Sequence, residues 1–275
     1  MEYILHIIIM LSIYVILVLS ANLPVGMANM LTMCQAAFYG IGAYIGTFFL
    51  MQFNLPFIVL AAIVMVATGL FSLLVSFASV KLKDDYFILA TLGFQMIVYT
   101  ILYNWTDVTR GPYGIPGIPS IKLFGVLSLS GVWGYAALAI VLAVLVALLF
   151  NVIKRSPYGR VLKAMRRDEQ AVKALGRNTV MFKVQTFFLS AAFSGLAGAI
   201  YASYVSYIDP TSFTLDESIF IITALFIGGL GNIKGPILGA VFVIILPEIL
   251  RFVGMPDAIA ANMRQIIYGL ALVII

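Results

Sequence analysis

Nine of the 16 Lys and Arg residues of this 275-residue chain lie between Lys154 and Lys183, whereas from Tyr3 to Val80 there is no Asp, Glu, Lys or Arg. Chemistry on a bound substrate needs a nucleophile, an acid–base pair or a ligand set, and little here qualifies. Cys34 is the only cysteine and sits in an apolar run, and His6 is the only histidine, with no second ligand near it in sequence. A packed or interfacial histidine is the expectation there, and no catalytic residue and no metal site is expected. No Gly-x-x-x-x-Gly-Lys-[Ser/Thr] loop occurs, so the chain carries no phosphate cradle of that type. What the basic island can do is bind.

Composition says where it binds. The chain is 63% hydrophobic and 10% charged, with a mean hydropathy of +1.11, against about 25% charged residues in a soluble domain. It lacks the polar surface to cover a water-facing core, so lipid is its solvent and its backbone must be satisfied within helices or a closed barrel. The apolar runs are continuous and lack a period of two, which selects helices; about 20 residues cross a core of about 30 Å. The reading is an all-α, polytopic helical membrane protein, a single transmembrane domain over 1–275 with about 8–9 transmembrane segments. The spans are 3–21, 23–50 (broken near Pro24 or Gly26), 55–79, 86–104, 132–153, 184–206, 217–231 and 235–253. A last apolar run, 265–275, rises only about 17 Å as a helix, as if the chain stopped inside its final span. The N-terminal run lacks a basic region before it and reads as a retained helix rather than a signal peptide.

If the island 154–183 is cytoplasmic and every span crosses, Lys81, Lys83 and Lys234 are also inside. Twelve of the 16 cations are then inside, against Arg110, Lys122, Arg251 and Arg264 outside, which satisfies the positive-inside rule. The net charge of +5 is therefore a topology signal, and no nucleic-acid partner is expected. The loop 104–131, with Pro112, Pro116 and Pro119, falls outside as a docking surface, a vestibule or a structured connector.

Within the island, Ser156-Pro157 reads as a helix start and Gly176 as its stop. Between them Val161, Leu162, Met165, Val172 and Leu175 recur at helical spacing, with Arg160, Lys163, Arg167, Gln170 and Lys173 opposite. The spacing predicts one short amphipathic helix over 157–176. It either lies on anionic lipid or slots into a groove on a soluble partner.

Inside the spans, ionisable groups are nearly absent, so a path across must be lined by backbone and neutral side chains. Candidates are Asn22, Asn29, Thr32 and Gln35, then Thr91 and Gln95, then Ser190 and Ser194. The last two pairs are each four apart and share a helix face. The competing role is gluing helices together. Gly26, Gly228, Gly229 and Gly231 can break helices, at a pathway or in a tight turn, and Gly195 and Gly198 with neighbouring alanines make a small-residue face for close helix contact. Glu248 and Arg251, beside Pro247, read as an interfacial pair.

Several blocks resemble one family. SPYGRVLKAMRRDEQAVKALGRN, LSAAFSGLAGAIYA (189–202), GGLGNIKGPILGA (228–240) and LPEILR (246–251) follow the order and spacing of the branched-chain amino acid permeases of ABC importers, in the LivM-like rather than the LivH-like branch. AAFYGIGAY (36–44), DYFILATLGF (85–94) and NWTDVTRGPYGIPGIP (104–119) fit as well. The family commonly has Gly-x-x-Gly-x-x-Ser-x-Gly after Asn-Leu; here those positions are Gly26, Asn29, Thr32 and Cys34. The two replaced glycines would narrow a helix contact or add polar groups to a pore.

The resemblance implies a transport subunit in the bacterial inner membrane that is not itself an enzyme, working in an ATP-driven importer for branched-chain or hydrophobic amino acids. It implies a LivH-like permease partner, two cytoplasmic ATPases that carry ATP and Mg, an external solute-binding protein, and no cofactor on this chain. It also implies that Arg160, Val161, Leu162, Lys163, Met165, Arg167, Glu169, Ala171, Val172 and Gly176 form an ATPase-coupling helix. Two alternatives stay open: a sister importer for urea, short amides or another small solute, and a standalone channel or ion-coupled carrier.

Overall fold

The apolar runs fold as helices whose polar backbone is satisfied internally, as a lipid environment demands. The computed structural model describes residues 2–53, 55–79, 82, 84–123, 127–128, 131–252, 263, 267 and 269–270. Lys81, Lys83, Arg264 and the run 265–275 (Ile267, Gly269 and Leu270 excepted) lie outside the described residues, as does the side chain of Arg251. Helices α1 (Glu2–Ala21), α2 (Gln35–Phe53), α3 (Phe57–Ser79) and α4 (Asp84–Asn104) are followed by a single turn, α5 (Thr106–Thr109). After α6 (Val132–Arg155) come α7 (Pro157–Arg167), α8 (Glu169–Ala174), α9 (Thr179–Val205), α10 (Leu215–Gly228) and α11 (Lys234–Phe252). Among the described residues six helices are long and apolar enough to cross a membrane: α1 with its extension to Met27, α2, α3, α4, α6 and α9.

The expected second span over 23–50 is corrected. Asn22–Met27 continues α1 as a π-helix, and the break falls later, at residues 28–34, before α2 starts at Gln35. Pro24 has no N–H to give, yet its carbonyl accepts from the amides of Ala28 and Met30, the latter at 2.9 Å. The wider π-turn thus keeps the backbone bonded past the proline. Asn29 then takes a left-handed φ of 55°. Asn is among the few residues other than Gly that tolerate this region, so the turn forms here without a glycine at little conformational cost.

The centre of the bundle is α2 against α9, running parallel, with α1 and α3 packed on the same pair. Small residues let the backbones meet: a Cβ on Gly42 would lie 2.2 Å from Gly195 Cα, and one on Gly198 would lie 2.1 Å from the Tyr39 carbonyl oxygen. Ala191, Ala199 and Ala202 are fully buried on the same face. Close approach of this kind replaces the hydrophobic drive that lipid does not supply.

The expected crossing at 217–231 corresponds to α10, which starts and ends two to three residues earlier. α10 has 14 residues and rises only about 21 Å. The segment before it makes up the length, because Phe213 is fully buried among Tyr39, Tyr44 and Tyr201, and a Cβ on Gly40 would touch its ring at 2.9 Å. At that same end, strand β1 (Ile115–Pro116) pairs antiparallel with β4 (Tyr207–Ile208), tying the loop after α4 to the segment after α9; β2 (Lys122–Leu123) pairs with β3 (Leu127–Ser128).

Candidate functional site

At the opposite end of the bundle sits the basic island. Ser156 caps α7, its Oγ accepting from the Gly159 amide at 3.2 Å, and Gly176 ends the segment with a φ of 76°. The single helix over 157–176 is corrected to two. Asp168 leaves the helical track (φ −155°, ψ 103°) and caps α8, its Oδ1 accepting from the Gln170 and Ala171 amides at 2.8 and 3.0 Å. A short acidic side chain that can bond its own downstream amides competes with helix continuation. The cue was present in the charges: Arg166-Arg167 suits a helix C-terminus, and Asp168-Glu169 a new N-terminus.

The expected faces are mostly right. Leu162, Met165 and Val172 are buried; Val161 is half-buried; Arg160, Lys163, Arg167, Ala171 and Gly176 are exposed. Leu175 departs from its stripe and is 81% exposed. It borders a groove of about 750 Å³ between α7, α8 and the start of α9, walled by Val161, Ala164 and Phe182 and rimmed by Arg160 and Arg177. Tyr158 fixes α7 to α9: its hydroxyl lies 2.7 Å from Thr186 Oγ1, and its ring stacks on Phe182.

Glu169 ties α8 down. Its Oε2 accepts from Lys183 at 2.7 Å, and its Oε1 from Lys173 at 2.9 Å and Thr179 at 3.0 Å. Burial alone would raise its pKa, but the bonds from Lys183, Lys173 and Thr179 and the Lys183 charge win, lowering it from 4.5 to about 2. A carboxyl whose folded pKa is depressed stabilises fully above its unfolded value and loses that contribution as pH falls through the folded one. The stability difference between wild type and Glu169→Gln is therefore expected to be constant above pH 4.5 and to vanish toward pH 2. At about 0.5–1 kcal/mol for a partly exposed network, thermal unfolding in detergent across that range measures it.

Above α7 and α8 the broken end of α1 opens a cavity of about 510 Å³, lined by Ala28, Asn29, Met30, Phe87, Arg167 and Leu230 among others. Beside it four chain segments join, with Arg166 common to the junction and the cavity lining. Arg166 Nη1 donates to the Gly26 carbonyl at 2.6 Å. Asn22 Oδ1 accepts from the Gly231 amide at 2.9 Å, and its Nδ2 donates to the Asn232 carbonyl at 2.7 Å. Lys154 Nζ donates to Asn232 Oδ1 at 3.2 Å. Gly228 and Gly229 end α10, and Gly229 and Gly231 turn with φ of 94° and 75°.

The remaining neutral candidates fall into two knots. Gln35 Nε2 donates to Ser20 Oγ (2.6 Å) and Ser194 Oγ (2.5 Å) and lies 3.3 Å from Ser190 Oγ, joining α1, α2 and α9. Gln95 accepts through Oε1 from the Ala37 amide (2.6 Å) and Ser218 (3.2 Å), and donates to the Phe213 carbonyl (2.9 Å). Thr91 Oγ1 accepts from the Met33 amide, and Thr32 Oγ1 lies 3.1 Å from Cys34 Sγ. Asn22, Thr32, Gln35, Thr91, Gln95, Ser190 and Ser194 are all buried, whereas Asn29 is exposed to the cavity. Elsewhere, His6 Nδ1 lies 2.7 Å from the Tyr204 hydroxyl, and Tyr3 donates to Glu248.

A second cleft, of about 610 Å³, lies between α2, α3 and α4 toward the end away from the island. Phe48, Phe71, Phe94 and Ile97 wall it, and two of its lining groups, the Tyr44 hydroxyl and Thr47 Oγ1, are buried without a hydrogen-bond partner.

Sequence reasoning missed Arg166, Lys154, Lys183, Tyr158, Ser20, Ser218 and Asn232. Their cross-helix partners lie 14 to 210 residues away, a mixture of side-chain and backbone atoms that no spacing rule reveals.

The profile of one protein family, described as "Branched-chain amino acid transport system / permease component", matches residues 3–275. The chain is 35% identical over 269 residues to the "High-affinity branched-chain amino acid transport system permease protein LivM" of Salmonella typhimurium, covering 88% of this chain and 62% of that protein. It is 34% identical over 266 residues to the LivM of the same description from Escherichia coli, covering 87% and 61%. It is 27% identical over 246 residues to the "Autoinducer 2 import system permease protein LsrC" of Salmonella typhi, covering 86% and 65%. The chain thus spans about three fifths of the length of the two LivM relatives. No solved structure matches it.

Proposed function

The chain belongs to the branched-chain amino acid transport system permease family, and on that premise we propose that it is a transmembrane permease subunit of an ATP-driven importer for branched-chain and other hydrophobic amino acids. The family match over residues 3–275 carries this reading. Its partners are a second, LivH-like permease, two cytoplasmic ATPases that bind ATP and Mg, and an external solute-binding protein. This chain contributes no chemistry of its own.

The N-terminus is outside and the loop 154–183 inside, in a bacterial inner membrane. With α10 and α11 as a descending and returning pair, the described helices make eight crossings, consistent with Asn22 near Gly231 at the inner end and Tyr3 on Glu248 at the outer. The α7–α8 pair is the ATPase-coupling element: the exposed Arg160, Lys163 and Arg167 and the groove beside Leu175 suit an acidic and apolar partner surface. The solute moves without intramembrane charge, past the aromatic cleft and its two unpaired hydroxyls, and leaves through the cavity at the broken end of α1. The buried polar residues act first as glue; in a moving bundle their bonds are also the ones exchanged.

Reversing Arg160, Lys163 and Arg167 to Glu tests the coupling surface. Affinity purification through this chain is expected to retain the second permease and to lose the ATPases, because each rim charge reversed opposes steering and register. Retention of ATPases by the triple variant contradicts the assignment. The LsrC relative, named for autoinducer 2 import, supports a second reading, in which the same fold carries a different small solute. Substrate-stimulated ATPase assays across solutes separate the two.

A further inference from the structure

The end of the first span is held in an uncommon form from outside. Asn22–Met27 is π-helical for six residues; such stretches are rare and gather at functional sites. Pro24 has no N–H to continue the α-helical ladder, and the π form that carries the chain past it is braced by bonds from elsewhere. It has them on two sides. Arg166 on α7 takes the Gly26 carbonyl at 2.6 Å, a charge-assisted bond. The α10–α11 turn takes the Asn22 side chain at both ends, through the Gly231 amide and the Asn232 carbonyl.

The three parts fit with no room to spare. A Cβ on Gly26 would lie 1.8 Å from Asn22 Oδ1 and 2.7 Å from the Gly231 amide nitrogen, and one on Gly231 would lie 3.1 Å from Arg166 Nη1. Arg166 is thus the only side chain among the described residues shown bonding α7 to the π-turn, and α7 is the element through which the ATPases act on the proposed reading.

We propose that Arg166 is a positioning residue that links α7 to the broken end of α1: its guanidinium holds the π-turn on the Gly26 carbonyl, and displacement of α7 releases or re-seats that turn and so reshapes the cavity at residues 28–31. The role rests on the importer reading, since it is movement of α7 by the ATPases that the link transmits. Arginine suits it because its planar fork of donors fixes direction. Lysine at the same place supplies one point charge and less geometry.

The test uses the intact assembly in proteoliposomes, with Arg166→Ala and Arg166→Lys. Losing a hydrogen bond to a charged group is expected to cost about tenfold in the equilibrium it controls. Hydrogen exchange at the Met30 amide, which bonds to Pro24, is therefore expected to rise about tenfold in Arg166→Ala and less in Arg166→Lys. Leucine moved per ATP hydrolysed is expected to fall with it, while binding-protein-stimulated ATPase activity stays near wild type. Unchanged exchange in Arg166→Ala overturns the proposal. So does a parallel loss of ATPase activity and uptake with exchange unchanged, which would make Arg166 part of the ATPase docking surface. Should the alanine variant not assemble, the lysine variant decides by the same two readouts. A wild-type assembly that hydrolyses ATP without moving leucine refutes the importer reading, and the exchange measurement then judges the link by itself.

Discussion

Gly42→Val is expected to abolish recovery of folded protein from the membrane. The added Cβ falls 2.2 Å from Gly195 Cα and 2.3 Å from its carbonyl oxygen, so backbone of the central helix pair must move rather than a flexible side-chain end. Overpacking a core usually costs about 1–3 kcal/mol and more where nothing can yield, and the α2–α9 seam holds α1 and α3 as well. The expected cost exceeds about 3 kcal/mol. Gly93→Val is the control, because a Cβ there meets nothing within 4 Å. Yield of monodisperse protein in mild detergent and its thermal midpoint read the result. Equal behaviour of the two variants would mean that α2 and α9 do not meet through these glycines.

The second large effect is expected at Gln95. Leucine is close to glutamine in size but removes three bonds at once, leaving the Ala37 amide and the Phe213 carbonyl without partners in a buried site. Each unsatisfied buried backbone group costs about 1–3 kcal/mol, so Gln95→Leu is expected to destabilise by about 2–5 kcal/mol in sum. Ser218→Ala, which removes one hydroxyl, is expected to cost about 1 kcal/mol. Because Gln95 fixes both the first turn of α2 and the segment entering α10, hydrogen exchange should rise at residues 36–37 and 213–218 together. A rise confined to one of them would mean that the knot does not join the two.

These two sites show what the sequence could and could not disclose. The glycines were readable, since small residues recurring at one face of 189–202 announce a close helix contact without naming its partner. The partner, α2 through Gly42 and Gly46, needed the fold. Gln35, Gln95, Ser190 and Ser194 were readable as polar residues in apolar helices, which marks them as costly and therefore used. Whether a buried amide bonds a neighbouring helix or faces a solute depends on what lies opposite, and the structure puts hydroxyls and backbone there.

The helix breaks taught the opposite lesson. Pro24 and Gly26 looked like the interruption, yet the backbone absorbs both in a π-turn and breaks past them, at residues 28–34. Local propensity locates strain but not the place where neighbours allow it to be released. Likewise Asp168 divides α7 from α8 because its side chain can cap, a choice invisible to hydrophobic periodicity, which runs on through it. The count of spans is hard to read from sequence for a similar reason: α10 has only 14 residues, and Phe213 is buried just before it begins.

What ties the fold to function is the claim that ATP, hydrolysed by partners on the α7–α8 side, drives a hydrophobic amino acid through this chain and its permease partner. The direct measurement is uptake of labelled leucine into proteoliposomes holding the assembly purified through this chain, with the loaded binding protein on the far face and ATP supplied only on the face of loop 154–183. Leucine is expected to accumulate on the ATP side in a manner that requires hydrolysis and collapses when Arg160, Lys163 and Arg167 are reversed. Uptake by the single chain without ATPases, or none with the complete assembly and ATP, would contradict it.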